Sequence, residues 1–491
     1  MTDLRNNTLT NLPASVRIPD YDRSRLRPGI AHIGVGNFHR AHQAPVIEKC
    51  LRVPQNDCWA ISGIGLLNNP VSRAKAAAFL AQDNLYTVTQ LHSDLSTSTQ
   101  VIGAMVEYLY APEAAQAVLA RLAHPDTRIV SLTITEGGYN ISETTGLFQL
   151  DQPDIVHDLS NPTPITAFGF IVAALKTRRA NGLKPFTVVS CDNLRSNGDT
   201  TRRAVVSFAR AISADLADWI EENGAFPNSM VDRIAPQVSA EDRNRLNAAS
   251  GVNDLIPASC EEYTNWVIED QFCAGRPELE LGGVEFSTEV TGHEAVKGRL
   301  SNAAHMMMCY PSLLMGHRFV HEGMAEPRIV HLLKSFWQRD VIPLISPPTS
   351  VSVTAFTKGV LVRFANPAIR DQLLRVAHDG AAKIVVFHSR TITELISRGG
   401  DLTREAFLFA SFARYLRGLD DLGKPFPVNE PQFTEADWKL LRSEEPLGLL
   451  QTSPFRALAL AGVPTFRKLY VRMFQSQAER GVGATLETIL V

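Results

Sequence analysis

Cysteine is scarce in this chain. Its 491 residues include six, at positions 50, 58, 191, 260, 273 and 309, and no two form C-x-x-C. So low a density excludes a disulfide scaffold and points to free, mostly buried thiols in a reducing compartment. Excess charge of either sign is also missing. Lys and Arg number 48 against 51 Asp and Glu, for a formal net charge of −3, which leaves no electrostatic footprint for a nucleic-acid or anionic-membrane partner. Long apolar runs are absent. Residues 165–175 are among the most apolar and fall well short of the ~20 residues that cross a bilayer. The first 28 residues carry no apolar core of a secretory signal. The 31 glycines and 28 prolines are ordinary usage, which excludes collagen-like and low-complexity character. The expectation is a soluble, cytoplasmic, globular protein. At roughly 150 residues per domain it has two or three domains.

The first half of the chain alternates between two kinds of segment. Residues 29–34, 59–65, 86–91, 127–135 and 186–190 read as strands; 127–135 is β-branched and bounded by Gly137-Gly138. Residues 37–50, 73–80, 111–123 and 166–179 read as helices. Strands separated by helices predict βαβ units and a parallel, doubly wound sheet. From residue 292 onward the periodic segments are helical: 294–314, 328–340, 367–389, 402–417, 435–442 and 465–481. The fold class is therefore α/β: a Rossmann-type doubly wound domain over 1–285, then a mainly helical substrate or catalytic domain over 286–491.

The first strand runs into Gly34-Val-Gly36-Asn-Phe-His39-Arg40. Strand before and helix after suit a dinucleotide fingerprint. Glycines permit a tight turn, and a pyrophosphate approaches bare backbone at a helix N-terminus. The third glycine is missing, because His39 stands there. The acidic residue expected at the end of the next strand, to hold the adenosine ribose, is also missing. That strand ends Gly65-Leu-Leu-Asn68-Asn69-Pro70, with Arg73 and Lys75 close by. Residue chemistry here leaves NAD and NADP both open.

The densest chemistry lies in Glu294-Ala-Val-Lys297-Gly-Arg-Leu-Ser-Asn302-Ala-Ala-His305. On an uninterrupted α-helix, with Lys297 at zero, Glu294, Asn302 and His305 fall at about 60°, 140° and 80°. All four polar groups then share one face, which could meet a cofactor. Oxidation of an alcohol needs a base for the hydroxyl proton, and a lysine serves when burial or neighbours lower its pKa. Amide donors such as Asn302 stabilise a developing alkoxide. Asn193 and Glu136 each follow a strand, where the carboxyl end of a parallel sheet meets ligand.

Other chemistries lack their residues. No tyrosine has a lysine four positions on, as a short-chain dehydrogenase requires, and G-x-S-x-G is absent. The pairs His317/His321 and His39/His42 lack a zinc ligand set, and the expectation is no metal. Gly418-Leu-Asp-Asp-Leu-Gly-Lys424-Pro425 misses a P-loop by its proline.

Six segments together resemble the polyol-specific long-chain dehydrogenase/reductase family: Ile33-Gly-Val-Gly-Asn-Phe-His-Arg-Ala-His-Gln-Ala44, Ser131-Leu-Thr-Ile-Thr-Glu-Gly-Gly-Tyr139, Ser190-Cys-Asp-Asn-Leu194, Phe226-Pro-Asn-Ser-Met-Val-Asp-Arg233, residues 297–305 and Asn366-Pro-Ala-Ile-Arg-Asp371. The resemblance implies metal-independent, NAD(P)-dependent polyol oxidation, in the first instance interconversion of D-mannitol and D-fructose. A fructuronate or tagaturonate reductase, or an arabinitol or sorbitol dehydrogenase, is the alternative. It implies Lys297 as general base, Asn193 and Asn302 as oxyanion donors, His305 as substrate-orienting group and Glu294 as an aid to proton release. Arg375, Lys383 and Asp232 are implied as substrate contacts. Ile33, Gly34, Val35, Gly36, Asn37, Phe38, His39, Arg40, Asn69 and Glu136 are implied to hold the cofactor. NAD is the first choice, and NADP is possible because Asn68 and Asn69 replace the acid. The implied partner is a small polyol or ketose, and the expected assembly is a monomer or weak oligomer.

Overall fold

A computed structural model describes residues 1–142, 146–443 and 445–490. The chain divides into two units, Met1–Thr291 and Gly292–Val491. The first is built on five parallel strands: β1 (Pro28–Ile33), β2 (Ala60–Gly65), β3 (Met105–Tyr110), β4 (Ile129–Leu132) and β5 (Thr187–Ser190). Their order across the sheet is β3-β2-β1-β4-β5, every neighbour parallel. Alternation along each strand serves two faces. Ile30, Ile61, Ile129 and Val189 enter one buried cluster, while Ala31, Ile33, Ile64, Val130, Leu132 and Val188 enter another. Both faces are apolar because both are covered, as a doubly wound sheet demands.

Helices α1 (Asn37–Ala41) and α2 (Gln43–Cys50) cover the first face, followed along the chain by α3 (Pro70–Ala81). The predicted single helix over 37–50 is broken at His42, whose φ of −122° and ψ of −74° leave the helical region. α4 (Ala111–Ala123), α5 (Ala167–Ala180) and α6 (Asn197–Ile212) cover the second face. Two N-termini are fixed by their own chemistry. Asn69 Oδ1 accepts from Ser72 N at 2.8 Å ahead of Pro70, and Thr166 Oγ1 accepts from Gly169 N at 3.0 Å.

One predicted strand sits elsewhere. Tyr86–Leu91 pairs antiparallel with Thr97–Ile102 in a separate four-stranded sheet. Only five residues join the two, so they form a hairpin, and a parallel crossover needs a dozen or more.

The second unit is helical, and no named strand falls in it among the described residues. Its centre is the segment from α7 (Val290–Lys297) through a five-residue π turn (Gly298–Asn302) into α8 (Ala303–Leu314). Residues 306–314 are all buried. Around α8 pack Leu373–Ala377, α9 (Gly380–Arg398), α10 (Thr403–Tyr415) and α11 (Pro464–Ile489). The predicted helix over 367–389 is two helices, because Asp379 takes a left-handed φ of 54° between them.

One buried ion pair ties this unit together. Arg404, 2% exposed, grips Asp340 with two guanidinium nitrogens, Nη2 at 2.6 Å from Oδ1. Burial pushes the Asp340 carboxyl up to about 6 despite that contact. Removing Asp340 leaves the buried Arg404 with only the half-exposed Asp401 at 2.8 Å, which compensates its charge incompletely. Asp340→Ala is therefore expected to lower unfolding stability by about 3–5 kcal/mol, measured by chemical denaturation; a loss within experimental error would refute the role of the pair.

Candidate active site

β1 lies at the reversal of strand order, with β2 on one side and β4 on the other. In open α/β sheets the crevice at such a switch point, beyond the strands' carboxyl ends, takes the ligand. Gly34 stands there with φ +98°. Its N–H donates to Ile64 O at 3.0 Å, and a Cβ added to it would lie 2.2 Å from Thr133 O. Only glycine satisfies both the dihedral and the approach. Gly36, which precedes α1, is different: its φ of −96° suits any residue, and an added Cβ would meet only Gly34 O at 3.8 Å. The space over Gly36 is open, as a backbone that receives a pyrophosphate requires.

The turn is held from below by a buried network. Thr133 Oγ1 donates to Gly34 O at 2.6 Å and therefore accepts from His32 Nε2 at 2.9 Å. Burial brings His32 down to about 3, so the ring is neutral and its Nδ1 accepts from Ser131 Oγ at 2.8 Å. His39 stacks on His32 with centroids 3.4 Å apart, and burial lowers its pKa too.

The predicted cofactor residues are therefore not alike. Ile33, Val35, His39 and Arg40 have buried side chains. Arg40 is spent on Ile256 O and Asn37 Oδ1. Asn37 Nδ2 donates to Pro236 O at 3.2 Å, and Phe38 stacks on His42. What these residues can offer a ligand is chiefly main chain. Asn69 is exposed and caps α3. Arg73 faces Glu113 at 2.7 Å, while Lys75 Nζ donates to Val35 O at 2.7 Å within the glycine turn. Burial, helped by Arg40, lowers Lys75 to about 8. Sequence reasoning associated Lys75 with the ribose end, and its reach to the turn had no sequence signal.

Beside the switch point, Asp192 joins the ends of β4 and β5. Its carboxylate accepts from Ile134 N and Thr135 N, both at 3.0 Å, and from the Tyr139 hydroxyl at 2.8 Å. Burial raises it to about 6. Asp192 thereby fixes the exposed turn that carries Glu136, behind Thr135 at φ +63°, next to the exposed Asn193. The motif Ser190-Cys-Asp-Asn-Leu194 contained Asp192, but nothing in its spacing marked it as the brace. Asp232 ends the strand Ser229–Asp232 and is buried.

In the second unit the π turn changes the geometry of the lysine helix. Ala303 N donates to Gly298 O, five residues back. A turn closed by i→i+5 bonds is wider than an α turn, so Asn302 falls nearer the side of Lys297 than the ~140° of an uninterrupted α-helix. His305 follows one near-turn later, its ring stacked on Phe364 at 3.8 Å. Glu294 lies on the α-helical turn before Lys297. Lys297 is buried; Glu294, Asn302 and His305 are partly exposed. Buried donors engage the carbonyls of this segment: Trp337 Nε1 reaches Leu300 O at 2.9 Å, and His388 Nε2 reaches Ala303 O at 3.1 Å. Glu405 at 2.9 Å holds the other nitrogen of His388. Arg299 points away, to Thr391 and Glu394.

Arg375 and Lys383 are on separate helices, not the one expected. Arg375 makes a bidentate pair with Asp371 at 2.6 and 2.7 Å. Lys383 Nζ turns back to Val376 O and His378 O at 3.1 and 2.6 Å, which brings it to the end of the Arg375 helix. Among the described residues no group of three or more His, Cys, Asp or Glu could hold a metal ion, and all six cysteines are free.

A parallel sheet of this order, with a bare glycine turn at its switch point and a helical second unit carrying a buried lysine, defines a dinucleotide-binding oxidoreductase. Profiles described as the mannitol dehydrogenase Rossmann domain and the mannitol dehydrogenase C-terminal domain match residues 28–281 and 289–461. The chain belongs to the mannitol dehydrogenase family. It is 45% identical over 443 residues to the polyol:NADP oxidoreductase of Gluconobacter oxydans, covering 90% of this chain and 91% of that one. The Pseudomonas fluorescens mannitol 2-dehydrogenase, solved as a ternary complex with NAD and D-mannitol, superposes with a TM-score of 0.93 at 39% identity, covering 100% of this chain and 99% of that one. A D-sorbitol dehydrogenase in substrate-free form gives 0.88 at 42% identity, covering 99% and 100%.

A substitution at Gly36 tests cofactor binding apart from folding. Gly36→Val should melt as wild type, since its Cβ meets open space, yet bind NADH at least roughly tenfold more weakly, read by quenching of intrinsic fluorescence. Unchanged affinity would remove the pyrophosphate from this turn.

Proposed function

We propose that this protein interconverts D-mannitol and D-fructose with NAD as its first cofactor and NADP as its second. The observation that supports the reading is the π turn between the buried Lys297 and Asn302, which narrows the angle between them from that of an α-helix. Family membership and the mannitol complex of the Pseudomonas relative support the substrate. Residues 1–285 bind the dinucleotide and 286–491 supply the catalytic helix. The enzyme works in the cytoplasm, consistent with its six free thiols, as a monomer or weak oligomer.

The roles follow from chemistry. When held at the glycine turn, NAD(P)+ would supply the hydride acceptor for the carbinol carbon. Lys297 Nζ takes the hydroxyl proton, the task of a general base. Asn302 and Asn193 donate amide hydrogens to the developing alkoxide. His305, kept flat by Phe364, orients the substrate hydroxyl, and Glu294 passes the lysine proton toward water. Arg375, Lys383 and Asp232 bind the remaining hydroxyls. The main chain of residues 33–40 cradles the pyrophosphate, and Asn69 and Glu136 contact the rest of the cofactor.

A sugar-acid reductase would need a cation available for carboxylate. Asp371 already neutralises Arg375, and carbonyls occupy Lys383, which favours an uncharged polyol. The test is a panel of fructose, fructuronate, tagaturonate, xylulose and sorbose with NADH and NADPH, on wild type and Lys297→Ala. Fructose is expected to be the fastest substrate, with turnover lowered by orders of magnitude in Lys297→Ala while NADH still binds. Near-normal turnover in the variant would remove Lys297 from the chemistry, and faster reduction of a keto-acid would replace the substrate.

A further inference from the structure

A second concave site lies within the first unit. On α2, Ala44 and Ile47 face the sheet core, whereas Lys49 lines a cavity of about 480 Å³. Arg17, Arg52 and Arg233 share that cavity, with Gln90 and Gln100 from the separate sheet as neutral walls. No Asp or Glu is among its lining residues. Arg233, 7% exposed, meets only main chain, donating to Glu261 O and Ala41 O. Lys49 Nζ has Gly282 O at 3.4 Å. Among the described residues the ion pair recorded for these four cations is Arg52 with Asp20 at 3.5 Å, both exposed, and such a pair compensates little.

We propose that this cavity is a ligand site distinct from the dinucleotide turn and takes a compact polyanion, a small molecule bearing phosphate or pyrophosphate groups. Four cations round one recess raise the local potential, and low-dielectric walls focus it. Burial lowers the Lys49 pKa, and so do Arg233, Arg17 and Arg52 around it. The four cations therefore repel one another across the recess, and an anion relieves that repulsion. Guanidinium forks match phosphate oxygens. The volume lies in the range of small-ligand pockets and is too confined for a nucleic-acid duplex. An uncharged polyol has no use for these cations, so the site suits an effector that reports the level of a phosphorylated metabolite.

The test is calorimetric titration of the full-length protein with inorganic pyrophosphate, and separately with a hexose bisphosphate. Ionic strength is held constant, and saturating NADH is present so that the glycine turn is filled. Saturable binding near one site per chain is expected, weakened about tenfold or more by Lys49→Met and by Arg17→Gln, with NADH affinity and melting temperature unchanged. Arg17 is exposed, so its variant tests the site even if Lys49→Met folds poorly. Preference between the two probes distinguishes an inorganic from an organic phosphate. Absence of saturable binding in the presence of NADH, or wild-type affinity in both variants, would overturn the proposal.

Discussion

The close approach of Gly34 to Thr133 is the constraint on which the first unit turns. Backbone from β1 and from the extension of β4 meets there with no room for a side chain. The strands can lie that close because Thr133 and the neutral His32 satisfy each other and Gly34 O beneath the turn. A charged imidazole at this depth would bring an unpaired positive charge into the core. Burial instead keeps both His32 and His39 neutral. The crevice is thus shaped by buried polar groups, and its open side over Gly36 is left as bare main chain.

A second constraint governs the catalytic helix. A π turn departs from the i→i−4 ladder and survives only where packing compensates. Trp337 supplies a donor to a carbonyl within the turn and His388 one to the carbonyl just after it, and Glu405 locks His388 in place. The return is geometric, because the wider turn brings Asn302 nearer the side of Lys297 than an α-helix would. Local geometry of this kind costs stability and persists at functional sites.

Much of this was legible in the chain. Alternating apolar strands, the glycine pair and the shift to helical periodicity near residue 290 express side-chain burial directly, and burial patterns are written in sequence. The breaks were not. The local signals were indirect: Pro45 cannot donate to Ala41 O and breaks the ladder just beside His42, and Gly380 follows the left-handed Asp379, yet the apolar periodicity runs on through both. The π turn was equally hidden. Its residues, Gly298 to Asn302, suit an α-helix, and the donors that stabilise the wider turn come from about 35 and 85 positions away. Asp192 and Lys75 escaped notice for the same reason, because their work is defined by backbone groups on other elements. Arg375 and Lys383 were expected on one helix over 367–389, and the structure puts them on two helices joined through the left-handed Asp379.

The central claim is that a lysine, placed by the π turn, accepts the proton during alcohol oxidation. The pH dependence of kcat/KM for mannitol oxidation tests it most directly. The account predicts that the wild-type value falls about tenfold per pH unit below a single apparent pKa, and that this bend is missing from the residual rate of Lys297→Ala. The same bend in both proteins would contradict it.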